Sequence, residues 1–404
     1  MELPLTRAHQ ERISEDKLVI NVGPQHPSTH GVLRMIVTLD GERIDDLEPV
    51  IGYLHRGMEK IAESRTYYQY LPMTDRIDYL SSFHCLSAFA TAVEAIAGLK
   101  VPRRADYIRL ITMELNRIAS HLMWLGAMLL DLGASSVIFY TFRERESITG
   151  LLEELTGARL LYNYFCFGGV KRDLPEGWIE RTRALVKKLD KAIDEYEAIV
   201  TENPIFMARC KGIGVISAKE AVAWGLTGPN LRASGVPTDL RKTRPYSVYS
   251  ELDWQPVVGS AGDSYERYVV RMEEMRVSSS IILQALDRIP GGPSEKLAED
   301  RKKCGCGKET CEVCGFDTQI YAKKPNLAAF KPPAGEENGL IESPRGILGC
   351  YVVSDGTPKP WRVRWRTGSF AAVQVLPPLM KGLMYADLMA VFGSLDVVLP
   401  EVDR

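Results

Sequence analysis

Residues 105–131 read ADYIRLITMELNRIASHLMWLGAMLLD and carry a long, regular helical pattern. Apolar residues such as Ile108, Ile111 and Leu115 recur at spacings of three and four, with polar residues between them. The apolar run that closes the stretch stops at Asp131, well short of the roughly 18 apolar residues needed to cross a bilayer. The pattern therefore predicts a long core helix rather than a membrane span.

The same helical spacing recurs on both sides of this stretch. It predicts further helices at residues 82–97, 142–155, 178–200, 263–286 and 378–392. Alternating apolar residues instead predict strands at residues 18–22, 33–37 and 44–47, and a second strand region at residues 346–365. We therefore expect an α+β fold in which a small amino-terminal antiparallel sheet packs on a large helical bundle.

Four regions follow from these patterns. We expect an amino-terminal β-rich region at residues 1–62, a helical bundle at 63–295 and carboxy-terminal strands with a helix at 338–404. Residues 296–337 are polar, rich in Lys and Glu and weakly periodic, which predicts an insert.

The overall composition narrows the class of protein. The chain has 404 residues, of which 45% are hydrophobic and 25% charged, as in globular proteins. Its formal net charge of -2 argues against nucleic acid as the main partner, since that role usually needs a basic surface. Without an apolar amino terminus or a spanning segment, we expect a protein of the cytoplasmic side whose membrane association comes through partners.

The 8 cysteines fall into two groups. Scattered cysteines, which we expect to be reduced and mostly buried, are Cys85, Cys166, Cys210 and Cys350. A compact set lies in the polar insert and comprises Cys304, Cys306, Cys311 and Cys314. Its spacing suits a structural zinc site with four thiolate ligands. An iron-sulfur centre and unliganded or disulfide-bonded cysteines are the alternatives.

Two histidines lie four residues apart in the string GPQHPSTHG, as His26 and His30. Histidines at this spacing can share a metal when they lie on a helix. Pro24, Pro27 and the flanking glycines oppose a helix here. A loop whose histidines satisfy backbone groups, or a rigid turn that presents an imidazole to a cavity, fits better.

Two further positions are chemically distinctive. Tyr79 follows several charged residues in the string TDRIDYL, a pattern that in most proteins marks a helix cap and a solvated face. Asp131 closes an apolar run, where a carboxylate is costly to bury unless it is paired, and a histidine would be a suitable partner. Taken alone, these residues indicate no more than a candidate His/Tyr/Asp site.

Several long strings resemble the 49 kDa subunit of complex I, the quinone-site subunit of its peripheral arm, which has counterparts in chloroplast and cyanobacterial complexes. They lie in the same order over nearly the whole chain, at residues 23–34 (GPQHPSTHGVLR), 53–60 (YLHRGMEK), 74–80 (TDRIDYL), 116–125 (NRIASHLMWL), 139–146 (FYTFRERE), 227–242 (TGPNLRASGVPTDLRK), 265–276 (YERYVVRMEEMR) and 393–404 (GSLDVVLPEVDR). The resemblance implies a proton-pumping quinone oxidoreductase that is active only as a complex.

This family shares its fold with the large subunit of nickel-iron hydrogenases, which is the main competing function. A nickel-iron centre needs a cysteine pair near each end of the chain, because nickel takes soft thiolate ligands. The early region here offers Asp75, Asp78 and Tyr79, and the terminal region offers Asp396, Glu401 and Asp403. We therefore expect no nickel-iron centre. A scaffold without a redox role is the remaining alternative, and it would predict a broken His/Tyr/Asp set.

The resemblance also implies roles for individual residues. His30 and Tyr79 match the family residues that bind the quinone headgroup, and Asp131 matches the acid that pairs with the histidine. His26, in the same loop as His30, is a further expected quinone-binding residue. Arg56 and Arg76 match arginines close to a tetranuclear iron-sulfur cluster that a neighbouring subunit holds. The other partners implied are the small subunit of the peripheral arm and the membrane subunit that forms the quinone channel. The electron donor, whether NADH, ferredoxin or F420-type, remains open.

The sequence departs from the family pattern in three places. Leu161 stands where many relatives have a histidine that contacts the cluster, and a leucine cannot couple a proton to cluster reduction. We therefore expect a cluster of lower, less pH-dependent potential, suited to a low-potential quinone such as menaquinone; a plastoquinone- or ubiquinone-type acceptor is the alternative. Cys166 replaces an arginine that is common in the family, and the four-cysteine insert has no counterpart in the resemblance.

Overall fold

The computed structural model describes residues 17–25, 31–290, 310–311, 316–317, 320 and 330–404. The strands are β1 (Leu18–Val22), β2 (Arg34–Asp40), β3 (Arg43–Val50), β4 (Phe165–Cys166), β5 (Gly169–Val170), β6 (Thr310–Cys311), β7 (Phe316–Asp317), β8 (Ala334–Ser343), β9 (Gly346–Asp355) and β10 (Arg362–Arg366).

Helices make up most of the remaining structure. They are α1 (Met58–Ser64), α2 (Tyr67–Thr74), α3 (Ser82–Ala97), α4 (Arg103–Asp131), α5 (Val137–Thr156), α6 (Trp178–Val200), α7 (Pro204–Cys210), α8 (Ala218–Ala223), α9 (Gly228–Arg232), α10 (Leu240–Thr243), α11 (Ser264–Arg288), α12 (Gly368–Gln374), α13 (Leu376–Met380), α14 (Leu388–Leu395) and α15 (Leu399–Val402), with short 3₁₀ helices at Tyr249–Glu251 and Tyr385–Asp387.

The amino-terminal sheet is antiparallel, in the order β1-β2-β3, as the alternating apolar residues predicted. Val22 pairs with Met35 and Arg34 pairs with Val50, so the connection from β1 to β2 leaves and rejoins the sheet at one end. The apolar side chains of β2 are buried against the carboxy-terminal helices α12 to α15. The two ends of the chain therefore share one hydrophobic core.

A larger core joins the long helices to the carboxy-terminal sheet, whose order is β10-β9-β8. Helix α3 packs directly on β8, where a Cβ at Gly339 would collide with the carbonyl oxygen of Ala88. Only glycine permits this close approach of helix and strand. The α+β architecture predicted from the sequence is thus confirmed, with the large helical body forming one core and the amino-terminal sheet contributing to the other.

The predicted helices agree with the structure except near the carboxyl terminus. Helices α3 and α6 have the predicted bounds, and α5 begins five residues before the predicted start. The single helix predicted at residues 378–392 is wrong, because α13 ends at Met380 and α14 begins at Leu388. Gly382 breaks it with a φ of 82°, and its N–H donates to the carbonyl oxygen of Ile44 at 2.7 Å.

The polar first half of β8 carried no strand pattern, and the sequence did not predict this strand. Its register against β9 runs without interruption from Ala334 opposite Asp355 to Ser343 opposite Gly346. Pairing with a buried neighbour therefore determines the strand, rather than the side-chain alternation that marks a half-buried strand in sequence.

No helix within the described residues combines the length and the apolar character that a membrane crossing requires.

Candidate functional site

The loop that carries His26 and His30 lies outside the described residues, but both of its flanks are defined. It connects β1 to β2, and on its carboxy-terminal side Leu33 is fully buried. Gly31 lies against α15, since a Cβ there would come within 3.1 Å of the Cδ1 atom of Leu399. The described residues that follow the loop therefore lie between the amino-terminal sheet and α15.

Tyr79 lies in the turn between α2 and α3, and its side chain is half-buried. The turn is fixed on both sides: the Leu80 N–H donates to Asp78 Oδ1 at 3.0 Å, and the Asn116 side chain donates to the Leu80 carbonyl oxygen at 3.0 Å. Burial and the charge of Asp78 raise the pKa of the Tyr79 phenol. The phenol therefore stays protonated and able to donate throughout the neutral range.

Asp131 is the last residue of α4, and its side chain is half-buried. Asn116, which holds the tyrosine turn, lies 15 residues earlier on the same helix (131 − 116). At 1.5 Å per residue these two levels of α4 are about 22 Å apart. The tyrosine turn therefore contacts the middle of α4, whereas Asp131 ends this helix. The histidine loop, which is predicted to lie between Tyr79 and Asp131, is not among the described residues.

Behind the tyrosine turn lies a group of buried charges that we call the site cluster, comprising Asp78, Arg345, Asp396 and Glu401. Arg345 is at its centre, with Nη1 at 2.9 Å from Asp78 Oδ2 and Nη2 at 3.3 Å from Asp396 Oδ1. The Glu401 carboxylate accepts from the Gly368 N–H at 3.1 Å and from the Ser369 hydroxyl. The charges of Asp396 and Asp78 help to keep Arg345 protonated, raising its pKa.

The site cluster shows what the sequence did and did not reveal. Three of the early and terminal acidic residues singled out from the sequence come together, as Asp78, Asp396 and Glu401. Arg345 was not singled out from the sequence, because an arginine in a turn between two strands resembles any surface residue. Its partners lie 267 and 51 residues away, so no local pattern could have identified it.

A second face of the turn brings together the two arginines that the resemblance singled out. Arg56 donates from Nη1 to the Arg76 carbonyl oxygen at 2.6 Å and from Nη2 to the Pro400 carbonyl oxygen at 2.8 Å. Arg76 is exposed, and its Nη1 donates to the Pro72 carbonyl oxygen at 2.6 Å. These hydrogen bonds go to neutral carbonyl oxygens, so they leave both positive charges able to act on a neighbouring molecule.

The segment with Leu161 lies beside this face. The Asn163 N–H donates to Asp75 Oδ2 at 2.8 Å, and Asp75 immediately precedes Arg76. Leu161 and Asn163 both have positive φ angles, of 59° and 41°, which turn the chain sharply at this point. Burial raises the pKa of Asp75 to about 7. The segment with Leu161 therefore lies close to Arg56 and Arg76.

The cysteines divide as expected where the structure describes them. Cys85, Cys166, Cys210 and Cys350 are buried free thiols, which confirms the prediction. Of the insert set, Cys304, Cys306 and Cys314 lie outside the described residues, and Cys311 is described only by its backbone in β6. The described part of the chain contains no other group of His, Cys, Asp and Glu able to hold a metal ion.

Comparison with protein families gives a match over residues 131–404 to the respiratory-chain NADH dehydrogenase, 49 kDa subunit. This interval contains Arg345, Asp396 and Glu401 of the site cluster.

Full-length relatives agree with this match. The chain is 51% identical over 389 residues to the H 1 subunit of NAD(P)H-quinone oxidoreductase from Gloeobacter violaceus, covering 96% of this chain and 98% of the relative. It is 49% identical to the chloroplastic H subunit of the same oxidoreductase from Zygnema circumcarinatum, with the same coverage. It is 48% identical over 404 residues to the chloroplastic H subunit from Agrostis stolonifera, covering all of both chains.

Proposed function

The chain belongs to the family of the 49 kDa subunit of respiratory-chain NADH dehydrogenase, and from this premise we propose that it provides the quinone-reduction site of a complex I-type oxidoreductase. The site is completed by a neighbouring subunit whose iron-sulfur cluster supplies the electrons. The observation that carries the proposal is the Tyr79 phenol, protonated, half-buried and fixed in a turn beside a buried arginine.

The chemistry of quinone reduction explains the residues required. A quinone that takes up two electrons gains negative charge on its two oxygens, and two protons complete the quinol. Donors placed at those oxygens stabilise the developing charge and supply the protons. Tyr79 donates to one quinone oxygen and His30 donates to the other, with His26 in the same loop as His30.

Asp131 is the partner of His30 in this scheme. A carboxylate in the last turn of a helix faces the negative end of the helix dipole, so a nearby cation stabilises it. An imidazolium supplies that cation, and the carboxylate in turn favours the protonated histidine. When the imidazolium gives its proton to quinone, Asp131 loses its partner and can rearrange, which is the step we connect to proton translocation.

The face with Arg56 and Arg76 is the docking side for the cluster of the neighbouring subunit. Their positive charges would raise the reduction potential of a cluster close by. Leu161, on the same face, offers no titratable group, which favours a cluster of low and weakly pH-dependent potential and a menaquinone-type acceptor. The small subunit of the peripheral arm and the membrane subunit with the quinone channel are the further partners, at the cytoplasmic face of the membrane.

For the four-cysteine insert we propose a structural zinc ion bound by Cys304, Cys306, Cys311 and Cys314. Four thiolates at this spacing match the tetrahedral coordination of zinc. Bound in this way, the ion would hold the polar insert together without taking part in electron transfer.

The central test is Tyr79→Phe in the assembled complex. Removing one hydroxyl leaves the ring in place, so assembly and the spectrum of the partner's cluster should be unchanged. Quinone reduction should fall by about 100-fold or more, the range for loss of a proton donor.

Tyr385→Phe is the matched control, because this tyrosine is partly exposed and lies in a 3₁₀ helix away from the site cluster. It should retain normal turnover. Normal turnover in Tyr79→Phe, with the complex intact, would refute the assignment.

A further inference from the structure

Glu401 differs from the other acids of the site cluster in its partners. Its carboxylate oxygens accept from the Gly368 backbone and from the Ser369 hydroxyl, both neutral donors. Among the described residues, no Lys, Arg or His forms an ion pair with it. Asp78 and Asp396 both contact Arg345 directly.

The acids around Arg345 outnumber the guanidinium groups that contact them. Three carboxyl groups, on Asp78, Asp396 and Glu401, are accompanied by the guanidinium groups of Arg345 and Arg271. Arg271 is the looser partner, with Nε at 4.0 Å from Asp396 Oδ2. A third cation, Arg366, donates only to neutral oxygens, so with all three acids ionised the acids would outnumber the guanidinium groups in contact with them, which is unfavourable. A proton on one acid removes the excess.

Glu401 is the acid suited to hold that proton. Burial and the charge of Asp78 raise its pKa to about 7, against the smaller opposing effects of Arg345 and Ser369. Its charge therefore changes within the physiological range of pH.

Two further groups face Glu401 from other elements. Burial raises the pKa of the Cys85 thiol on α3 well above its usual range, so this group stays neutral. Arg366 on β10 remains a cation, but it donates to the Thr227 hydroxyl and to the Ile347 carbonyl oxygen. Arg366 therefore acts on Glu401 through its charge, without an ion-pair contact.

We propose that Glu401 is a positioning residue for quinone reduction, whose protonation state sets the electrostatic field that Arg345 and Asp78 impose on Tyr79. The proposal rests on the function proposed above. When Glu401 is neutral, Arg345 faces two carboxylates. When Glu401 ionises, a third negative charge joins the group that contains Asp78 and Arg345, the two residues whose charges act on the phenol, and the added charge disfavours the loss of the phenol proton. Quinone reduction should therefore slow as the pH rises through about 7.

The experiment is the pH profile of quinone reduction by the assembled complex. The wild-type rate should fall about three- to tenfold between about pH 6 and about pH 8.5, since a rise of one pKa unit makes the loss of the phenol proton tenfold less favourable. The glutamine side chain in Glu401→Gln is neutral at every pH. This variant should therefore keep the wild-type rate at low pH and should not slow as the pH rises. Glu220→Gln, at an exposed helix cap, is the matched control and should retain the wild-type profile.

Ser369→Ala provides a second test if Glu401→Gln fails to assemble. It removes a donor that stabilises the ionised form, so the midpoint of the decline should move to higher pH. A Glu401→Gln profile that coincides with wild type, or an unshifted midpoint in Ser369→Ala, would overturn the inference.

Tyr79→Phe separates this inference from the proposed function. If Tyr79→Phe is inactive at every pH while Glu401→Gln keeps the decline, only the role of Glu401 is wrong. If Tyr79→Phe turns over normally, the proposed function itself fails.

Discussion

Two groups of buried charges differ in how their carboxylates are paired. The first, which we call the inner cluster, comprises Glu114, Arg117, Arg232, Asp239, Arg241, Glu274 and Glu342, and each of its carboxylates contacts at least one guanidinium within 3.4 Å. In the site cluster, Glu401 contacts only neutral donors.

The difference has a consequence for protonation. In the inner cluster, Arg117, Arg241 and two neutral hydroxyl donors lower the pKa of Glu114 to about 2, despite complete burial. Even Glu342, whose pKa is raised by burial and by Asp239, has Arg232 at 2.8 Å. Glu401 has no such partner, and its pKa is about 7. Close ion pairs in the inner cluster favour the ionised carboxylates and support the fold. Glu401 has no ion-pair partner among the described residues, so its own charge can change beside the proposed reaction site.

Arg241→Met should produce the largest change in the stability of the chain. Arg241 contacts Asp239 at 2.7 Å, Glu274 at 3.0 Å and Glu114 at 3.2 Å, so its loss leaves three buried carboxylates with fewer cations. Breaking a buried pair by removing one partner costs about 3–5 kcal/mol. Urea denaturation of the full chain measures this loss, and an unchanged midpoint would show that the inner cluster is not structural.

Glu401→Gln should have a smaller effect that depends on pH. Its folded pKa of about 7 lies above the ordinary 4.5, so its contribution to stability is complete below pH 4.5 and is lost as the pH rises through 7. The loss amounts to at most about 3 kcal/mol, at 1.36 kcal/mol per pKa unit. The glutamine variant should therefore show a shallower decline of stability with rising pH.

The decline should not vanish in this variant, because Asp75 and Asp106 also have raised pKa values, of about 7 and about 6. Denaturation midpoints measured across this range on both proteins provide the comparison. Parallel curves would mean that Glu401 is ionised throughout this range of pH.

Arg159→Gln should have the smallest effect and sets the baseline for both clusters. Arg159 pairs with Glu146 and Glu153 at the surface, with its side chain half exposed. Water and salt screen such pairs, and each long side chain loses conformational freedom on pairing. The urea midpoint should not change measurably, and a shift comparable to that of Arg241→Met would remove the distinction between buried and exposed pairs.

Much of the fold was predictable because periodicity is a local property. The bounds of α3 and α6 followed from apolar spacing alone; α6 buries one face along its length, whereas α3 is buried on nearly all sides. Residues 378–392 were misread because the break at Gly382 is stabilised by the distant Ile44. Strand β8 was missed because its pairing with β9, rather than its own alternation, determines it.

The candidate site was predictable only in part. Tyr79, Asp131 and the histidine loop were found because recognisable strings carry them. Arg345 was missed because its role depends on Asp78 and Asp396, which are far away in sequence. The division into four regions, the residue roles and the zinc site remain predictions.

The sequence by itself determined the family and the absence of cysteine pairs from its early and terminal regions, and it supplied the residues proposed as proton donors. These properties follow from the identity and order of side chains. Only the tertiary structure decided that Glu401 accepts from neutral donors, whereas Asp78 forms an ion pair with Arg345. The reason is physical: a pKa depends on burial and on nearby charges, and folding brings these together from distant parts of the chain.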